Sequence, residues 1–430
     1  MSALWQSIRA GGPGWLQGAM TLGGGSAITS LTLGAAFGYE FLWVQPVAML
    51  IGCVMLFALA HQTLSTGEAP FEAMRRHVSP TLAWLWGIAA LASSVIWGFS
   101  HYPLAAGMLE EAVAVSAGLT VSGAARELYL FVLALLVWAL CALTVWRYTN
   151  GGVGVRAFET AIKLLSALVI AAFAWVVLRA GERIDWGHVL AGFVPSSLPT
   201  TGFGVTTLMA ALGTAVGINM TFVYGYTLLD RGWGRDERPL ARIDIVLGLV
   251  LPYLLVTTLI SVAAAGALHG DGDLASRISP ARAGEMFVAA GLGEVAGRLI
   301  FPLGVLGMAV GSLVMHMLTC GAAAKAMLAL NDDSLGYRLA CLLPTPAVLG
   351  VFLWSSMGPY VILPTSAICG FLLPIAYVGW LLLNNRGAFL GNDMPTGARR
   401  IAYNAAMLAC IALVAASVCY STGVGLGWLP

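Results

Sequence analysis

Two short stretches hold most of the chemistry available to this chain: Gly23-Gly24-Gly25-Ser26 in the middle of its first hydrophobic segment, and Gly217-Ile218-Asn219 in the middle of the sixth. A membrane helix can be interrupted only where its freed N–H and C=O groups meet protein, water or a ligand. A matched pair of interruptions therefore points to a transport site. Carbonyls ending one half-helix favour a cation, and N–H groups opening the next favour an anion. Ser26 is expected to cap the second half-helix of the first segment. Asn219 adds an amide oxygen and an amide nitrogen from the opposite segment. On residue types alone both ligand signs stay open. One reading is a divalent cation with Ser26 and Asn219 among its ligands. The other is a small organic solute such as an amino acid, its carboxylate on the N–H groups of Gly23, Gly24, Gly25 and Ser26 and its far end on Gly217, Asn219 and the hydroxyl of Tyr224.

The elements that position these residues follow from composition. With 59% hydrophobic and 10% charged residues and a mean hydropathy of +0.87, the chain is far more apolar than a soluble protein, which carries about 25% charged residues. It reads as an all-α polytopic membrane protein whose partner is the lipid bilayer. Taking roughly 20 apolar residues per crossing gives about eleven spans, near 13–37, 41–63, 82–107, 128–147, 158–179, 205–229, 244–267, 299–327, 337–355, 360–383 and 401–422. No cleavable signal is expected in residues 1–12. With a cytoplasmic N-terminus, only Arg126, Arg179, Arg183, Arg277, Arg282 and Arg298 of the 21 Lys and Arg residues fall outside. That bias predicts N-inside and C-outside in a bacterial inner membrane.

Spans one to five (13–179) and six to ten (205–383) form two sets of five, each opening with a glycine-interrupted helix, and span eleven (401–422) is an addition to the single domain 1–430. An odd number per set inverts the second relative to the first. Gly34 and Gly38, four apart, are expected to serve close helix packing; three consecutive glycines suit that role poorly. The seven cysteines read as small core residues. The Asp271-Gly272-Asp273 loop lacks the spacing of a calcium loop. No cofactor, nucleic-acid partner or enzymatic cluster is expected, and the oligomeric state is not legible.

Several collinear segments resemble the Nramp family of divalent metal transporters: Gly12-Pro13-Gly14-Trp15-Leu16, Leu33-Gly34-Ala35-Ala36-Phe37-Gly38-Tyr39, Leu42-Trp43-Val44, Thr66-Gly67-Glu68, and Asp185-Trp186-Gly187 with Pro195. The resemblance implies a leucine-transporter-type fold of 5+5 inverted repeats plus one extra helix, with a central site between spans one and six. It also exposes departures. The family's metal-binding Asp falls on Gly23, its Asn on Ser26, its Met-Pro-His on Gly217-Ile218-Asn219, its second histidine on Tyr224, and its span-ten glutamine on Ser366. Acidic residues associated with proton movement fall on Ser94 and Trp97.

The 20 Asp and Glu residues all lie near span ends or in connections, which argues against a carboxylate proton relay. His101 and His316, inside spans, read as isolated packing residues. Trp97 and Trp138 read the same way. Loss of the methionine predicts a wider, harder site of backbone carbonyls, Ser26, Asn219 and Ser366, suited to a partly hydrated Mg²⁺ or to Mn²⁺. It resembles the magnesium-transporting branch of Nramp-related proteins.

Overall fold

The computed structural model describes residues 12–149, 153–181, 184–270, 278, 280–331, 334–353 and 361–428. Residues 1–11, the Asp271-Gly272-Asp273 turn, and Arg183 and Arg277 lie outside them, as do the side chains of Arg156, Lys163 and Arg282. Among the described residues every regular element is helical, and nine helices are long and apolar enough to cross a membrane. The first and fifth expected spans are helical too, as Pro13–Thr21 with Gly24–Phe37, and Val153–Arg179.

Both interruptions are short and extended. Leu22 N–H closes the first half-helix on the Gly18 carbonyl at 2.7 Å. Gly23 then turns out at φ −86°, ψ 177°, and a new helix begins at Gly24. In the sixth segment, helix Gly202–Ala215 gives way to Val216 (φ −144°, ψ 103°) and Gly217 (φ −78°, ψ 159°) before Ile218–Asp230 starts.

The two broken segments stand at the centre. Segment 202–230 is almost wholly buried along its apolar stretch, whereas the last helix leaves Ile401, Leu408 and Leu413 facing outward. Such apolar surface suits lipid. The two longest helices, Pro80–Ala117 and Glu294–Leu328, pack against each other beside the breaks.

The first half-helix is anchored at its start. Pro13 occupies the first turn, where its missing N–H costs nothing, and Gly14 N–H donates to the buried Asp244 carboxylate at 2.6 Å. It lies along a widened turn at Val246–Val250, just ahead of Pro252. Helix Gly24–Phe37 packs on Leu251–Leu268, where Gly34 admits the Ser261 carbonyl. Gly38, expected in the same packing role, instead ends the helix at φ +60°, a conformation that favours glycine.

Candidate functional site

The breaks face each other across a cavity lined by Met20, Thr21, Gly23, Gly25 and Ser26 of the first segment and Gly213, Thr214, Gly217, Asn219 and Met220 of the sixth. Trp97 and His101 of helix Pro80–Ala117 and Ser312 and His316 of helix Glu294–Leu328 close its sides. The volume swept by the centre of a water-sized sphere is about 20 Å³, just above what one water requires.

Hydroxyl groups satisfy much of the backbone freed at the breaks. Ser26 Oγ donates to the Thr21 carbonyl, Thr21 Oγ1 to the Ala215 carbonyl at 3.0 Å, and Ser312 Oγ to the Met20 carbonyl at 3.3 Å. The second of these ties one break to the other. Ser26 thus does not cap the second half-helix, as expected from its type; Gly23 holds the cap position. The Ser26 hydroxyl turns back and satisfies the end of the first half-helix.

The other polar groups form a chain. The Asn219 amide lies 2.8 Å from His316 Nδ1, and His316 Nε2 lies 3.2 Å from Ser312 Oγ. Asn219 Oδ1 is buried without a hydrogen-bond partner, in a side chain that is 1% exposed. An unpaired buried amide oxygen costs about 1–3 kcal/mol, so this atom invites a ligand. Across the cavity, His101 Nδ1 is 2.9 Å from the Trp97 carbonyl. A carbonyl can only accept, so the proton sits on Nδ1 and Nε2 presents its lone pair.

Residues 14–420 match the sequence profile of the family described as "Natural resistance-associated macrophage protein-like". The chain belongs to the Nramp family.

Relatives of this Nramp chain agree with its architecture. The "Divalent metal cation transporter MntH" of Agrobacterium fabrum is 26% identical over 265 residues, covering 59% of this chain and 53% of that protein, so the match spans about half the relative's length. A variant of the Eremococcus coleocola manganese transporter superposes with a TM-score of 0.73 at 17% identity, over 99% of this chain and 90% of that one. The crystal structure of MhsT in complex with L-phenylalanine gives 0.63 at 15% identity, over 94% and 98%. At these identities the structures speak for the fold alone, a leucine-transporter-type helical bundle.

Of the positions expected at the site in this Nramp chain, Gly23, Gly25, Ser26, Gly217 and Asn219 line the cavity; Gly24, Tyr224 and Ser366 do not. Gly24 faces Leu104. Tyr224 is fully buried further along its helix, and Ser366 Oγ donates to the Ile362 carbonyl at 2.6 Å.

Three expectations are revised. The site is not wide. Nor is sulfur gone from it: Met220 Sδ, one residue past Asn219, lies 3.3 Å from both Gly217 N and Thr21 Oγ1. The histidines are not isolated either. His101 and His316 have ring centres 5.5 Å apart at 79°, and Trp97 contacts both, stacked on His316 at 6.1 Å and edge-on to His101 at 5.2 Å. The signal for this grouping was the i,i+4 spacing of Trp97 with His101 and Ser312 with His316, which puts each pair on one helix face.

Gly23 explains how these groups reach the break. A Cβ there would stand 2.8 Å from Ser312 Oγ and 3.0 Å from His101 Nε2. At Gly25, a Cβ would stand 2.7 Å from the Trp97 ring. The glycine run gives up side chains so that neighbouring helices supply theirs.

Proposed function

We propose that this protein is a secondary transporter that carries a divalent metal cation through the cavity between its two broken helices by alternating access. The observation that carries the reading is the facing pair of breaks around a cavity of about 20 Å³ with the unpartnered Asn219 Oδ1 in its wall. That volume admits a water or a bare ion and is too small for an amino acid, so the ion reading is favoured over the organic solute. Membership of the Nramp family supports it, and the MntH relative is named a divalent metal cation transporter.

Larger hollows lie toward both ends of the bundle. One, of about 500 Å³, is lined by His61, Arg235, Arg238, Arg242, Asp393 and Arg399 among others. The other, of about 330 Å³, is lined by residues including Phe37, Tyr39, Glu40, His188 and His269. They serve as vestibules, and alternating access joins each in turn to the central cavity. The arginine-lined end is cytoplasmic on the positive-inside rule, with the protein in the plasma membrane. The cavity lining contains no Asp or Glu, so transport proceeds without a carboxylate proton relay at the site.

The test uses purified protein in liposomes loaded with a divalent-ion dye. Entry of a divalent metal ion such as Mn²⁺ is expected, with no matching change in a luminal pH dye. Silence with every divalent ion, together with uptake of a labelled amino acid, would sink the proposal.

A further inference from the structure

We infer that the cavity binds its ion through imidazole nitrogen: His101 Nε2 and His316 Nε2, with Ser312 Oγ as an oxygen partner and the Asn219 amide orienting His316, form a neutral nitrogen–oxygen site selective for first-row transition ions over Mg²⁺ and Ca²⁺. This inference rests on the transporter reading above and specifies its ligands.

Four observations converge on it. First, the spacing suits a shared ion. Two imidazoles bound through Nε2 at about 2.0–2.1 Å to one tetrahedral ion have ring centres roughly 5 Å apart; here the separation is 5.5 Å. Second, His101 is held as metal-binding histidines are held. Its Nδ1–H goes to the Trp97 carbonyl, which fixes the tautomer and leaves Nε2 free for a metal. Third, the donors share one corner. His101 Nε2 and Ser312 Oγ lie 3.0 Å and 2.8 Å from the Cβ position of residue 23, and His316 Nε2 is 3.2 Å from Ser312 Oγ.

Fourth, the amide of Asn219 can set the tautomer of His316. In the orientation with Nδ2 toward His316 Nδ1, Oδ1 is left buried and unpartnered. Rotating the amide by half a turn makes Oδ1 the acceptor of an Nδ1–H proton, which moves the His316 lone pair to Nε2, on the Ser312 side. In that orientation the amide holds the imidazole that binds the ion, and its Oδ1 is occupied by the His316 proton.

The donor set decides the class of ion. The Met20 and Thr21 carbonyls, which a hard cation would need, already accept hydroxyl protons. Among the described residues no three His, Cys, Asp or Glu side chains converge on one point, so an ion here relies on two imidazoles and neutral oxygens. Mg²⁺ requires octahedral oxygen and retains its waters, for which about 20 Å³ leaves no space. Imidazole suits Mn²⁺ less than Co²⁺, Ni²⁺, Cu²⁺ or Zn²⁺, and sites of neutral histidines hold zinc without formal charge.

The experiment titrates the purified, detergent-solubilised full chain with Co²⁺ and follows its visible absorption, then measures Co²⁺ flux in liposomes with and without excess Mg²⁺. Wild type should give the intense bands of nitrogen-ligated Co²⁺, and flux should be insensitive to Mg²⁺. His101→Gln and His316→Gln should each weaken Co²⁺ affinity by about 10–100-fold or more, while His77→Gln, at the Glu68 pair away from the cavities, should change neither readout. Wild-type spectra need no variant to fold, so oxygen-only bands in wild type overturn the inference. Flux carried equally well by both histidine variants overturns it too while the transporter reading stands. A wild-type chain that neither binds nor carries any divalent ion removes that reading and the inference together.

Discussion

Gly14 and Asp244, 230 residues apart, are joined by a 2.6 Å hydrogen bond from a backbone N–H at the start of the first half-helix to a carboxylate with no solvent exposure. The bond pins the outer end of a nine-residue helix whose inner end borders the cavity. The half-helix can therefore be held or released at a point remote from the ligand.

Asp244→Ala should free that end. Hydrogen bonds to charged groups contribute about 1.5–3 kcal/mol, so a loss of stability in that range is expected in thermal melts. Hydrogen exchange should rise across residues 12–21 ahead of the rest. Unchanged protection there would show that the carboxylate does not hold the half-helix.

Ser26→Ala removes the hydroxyl that satisfies the Thr21 carbonyl. An orphaned buried carbonyl costs about 1–3 kcal/mol, so the melting temperature should fall together with transport. Ser26→Thr, which keeps the hydroxyl, should recover most of the stability.

Gly23→Ala should leave the chain folded but block the cavity, because the added methyl meets Ser312 Oγ and His101 Nε2 at 2.8 and 3.0 Å. Overpacking of this kind costs about 1–3 kcal/mol. Divalent-ion flux should fall by at least about tenfold, equivalent to about 1.4 kcal/mol. Retention of full flux would show that ions take another route.

Asp393 links the charged connection to the loop before the last helix. Burial raises the affinity of its carboxyl for a proton, but hydrogen bonds from Arg235 and Arg238 outweigh that and hold its pKa below the usual aspartate value. A lowered pKa contributes stability that is fully present above the unfolded value, about 3.9, and is lost as pH falls through the folded one. Partly exposed pairs of this kind are worth on the order of 1 kcal/mol. Asp393→Asn should lower the melting temperature near neutral pH and flatten its decline below about pH 4; parallel curves for variant and wild type would exclude the link.

The legible part of the molecule was the part written locally. Three glycines in a row, and glycine beside asparagine in the sixth segment, placed both breaks within a residue or two. Asn219 was recognisable because a buried amide needs partners wherever the chain puts it. The direction of the Ser26 hydroxyl was not legible, since donating back to Thr21 and accepting from the next turn demand the same residue type. Nor was the meeting of His101 with His316. Each looks like a solitary polar residue in its own helix, and only the packing of two long helices, 215 positions apart in sequence, makes them a pair. Met220 escaped notice because its sulfur arrives from a different register than the family pattern suggests.

At Gly23, the aspartate of the family pattern and the imidazole of His101 cannot occupy the same space. The two donor sets are thus mutually exclusive alternatives, and a change at position 23 or at position 101 alone completes neither. Restoring aspartate at position 23 without shortening residue 101 should harm the protein, whereas the two changes made together should harm it less than their sum. The break would then behave as a genetic interlock, readable as a large coupling in a double-mutant cycle.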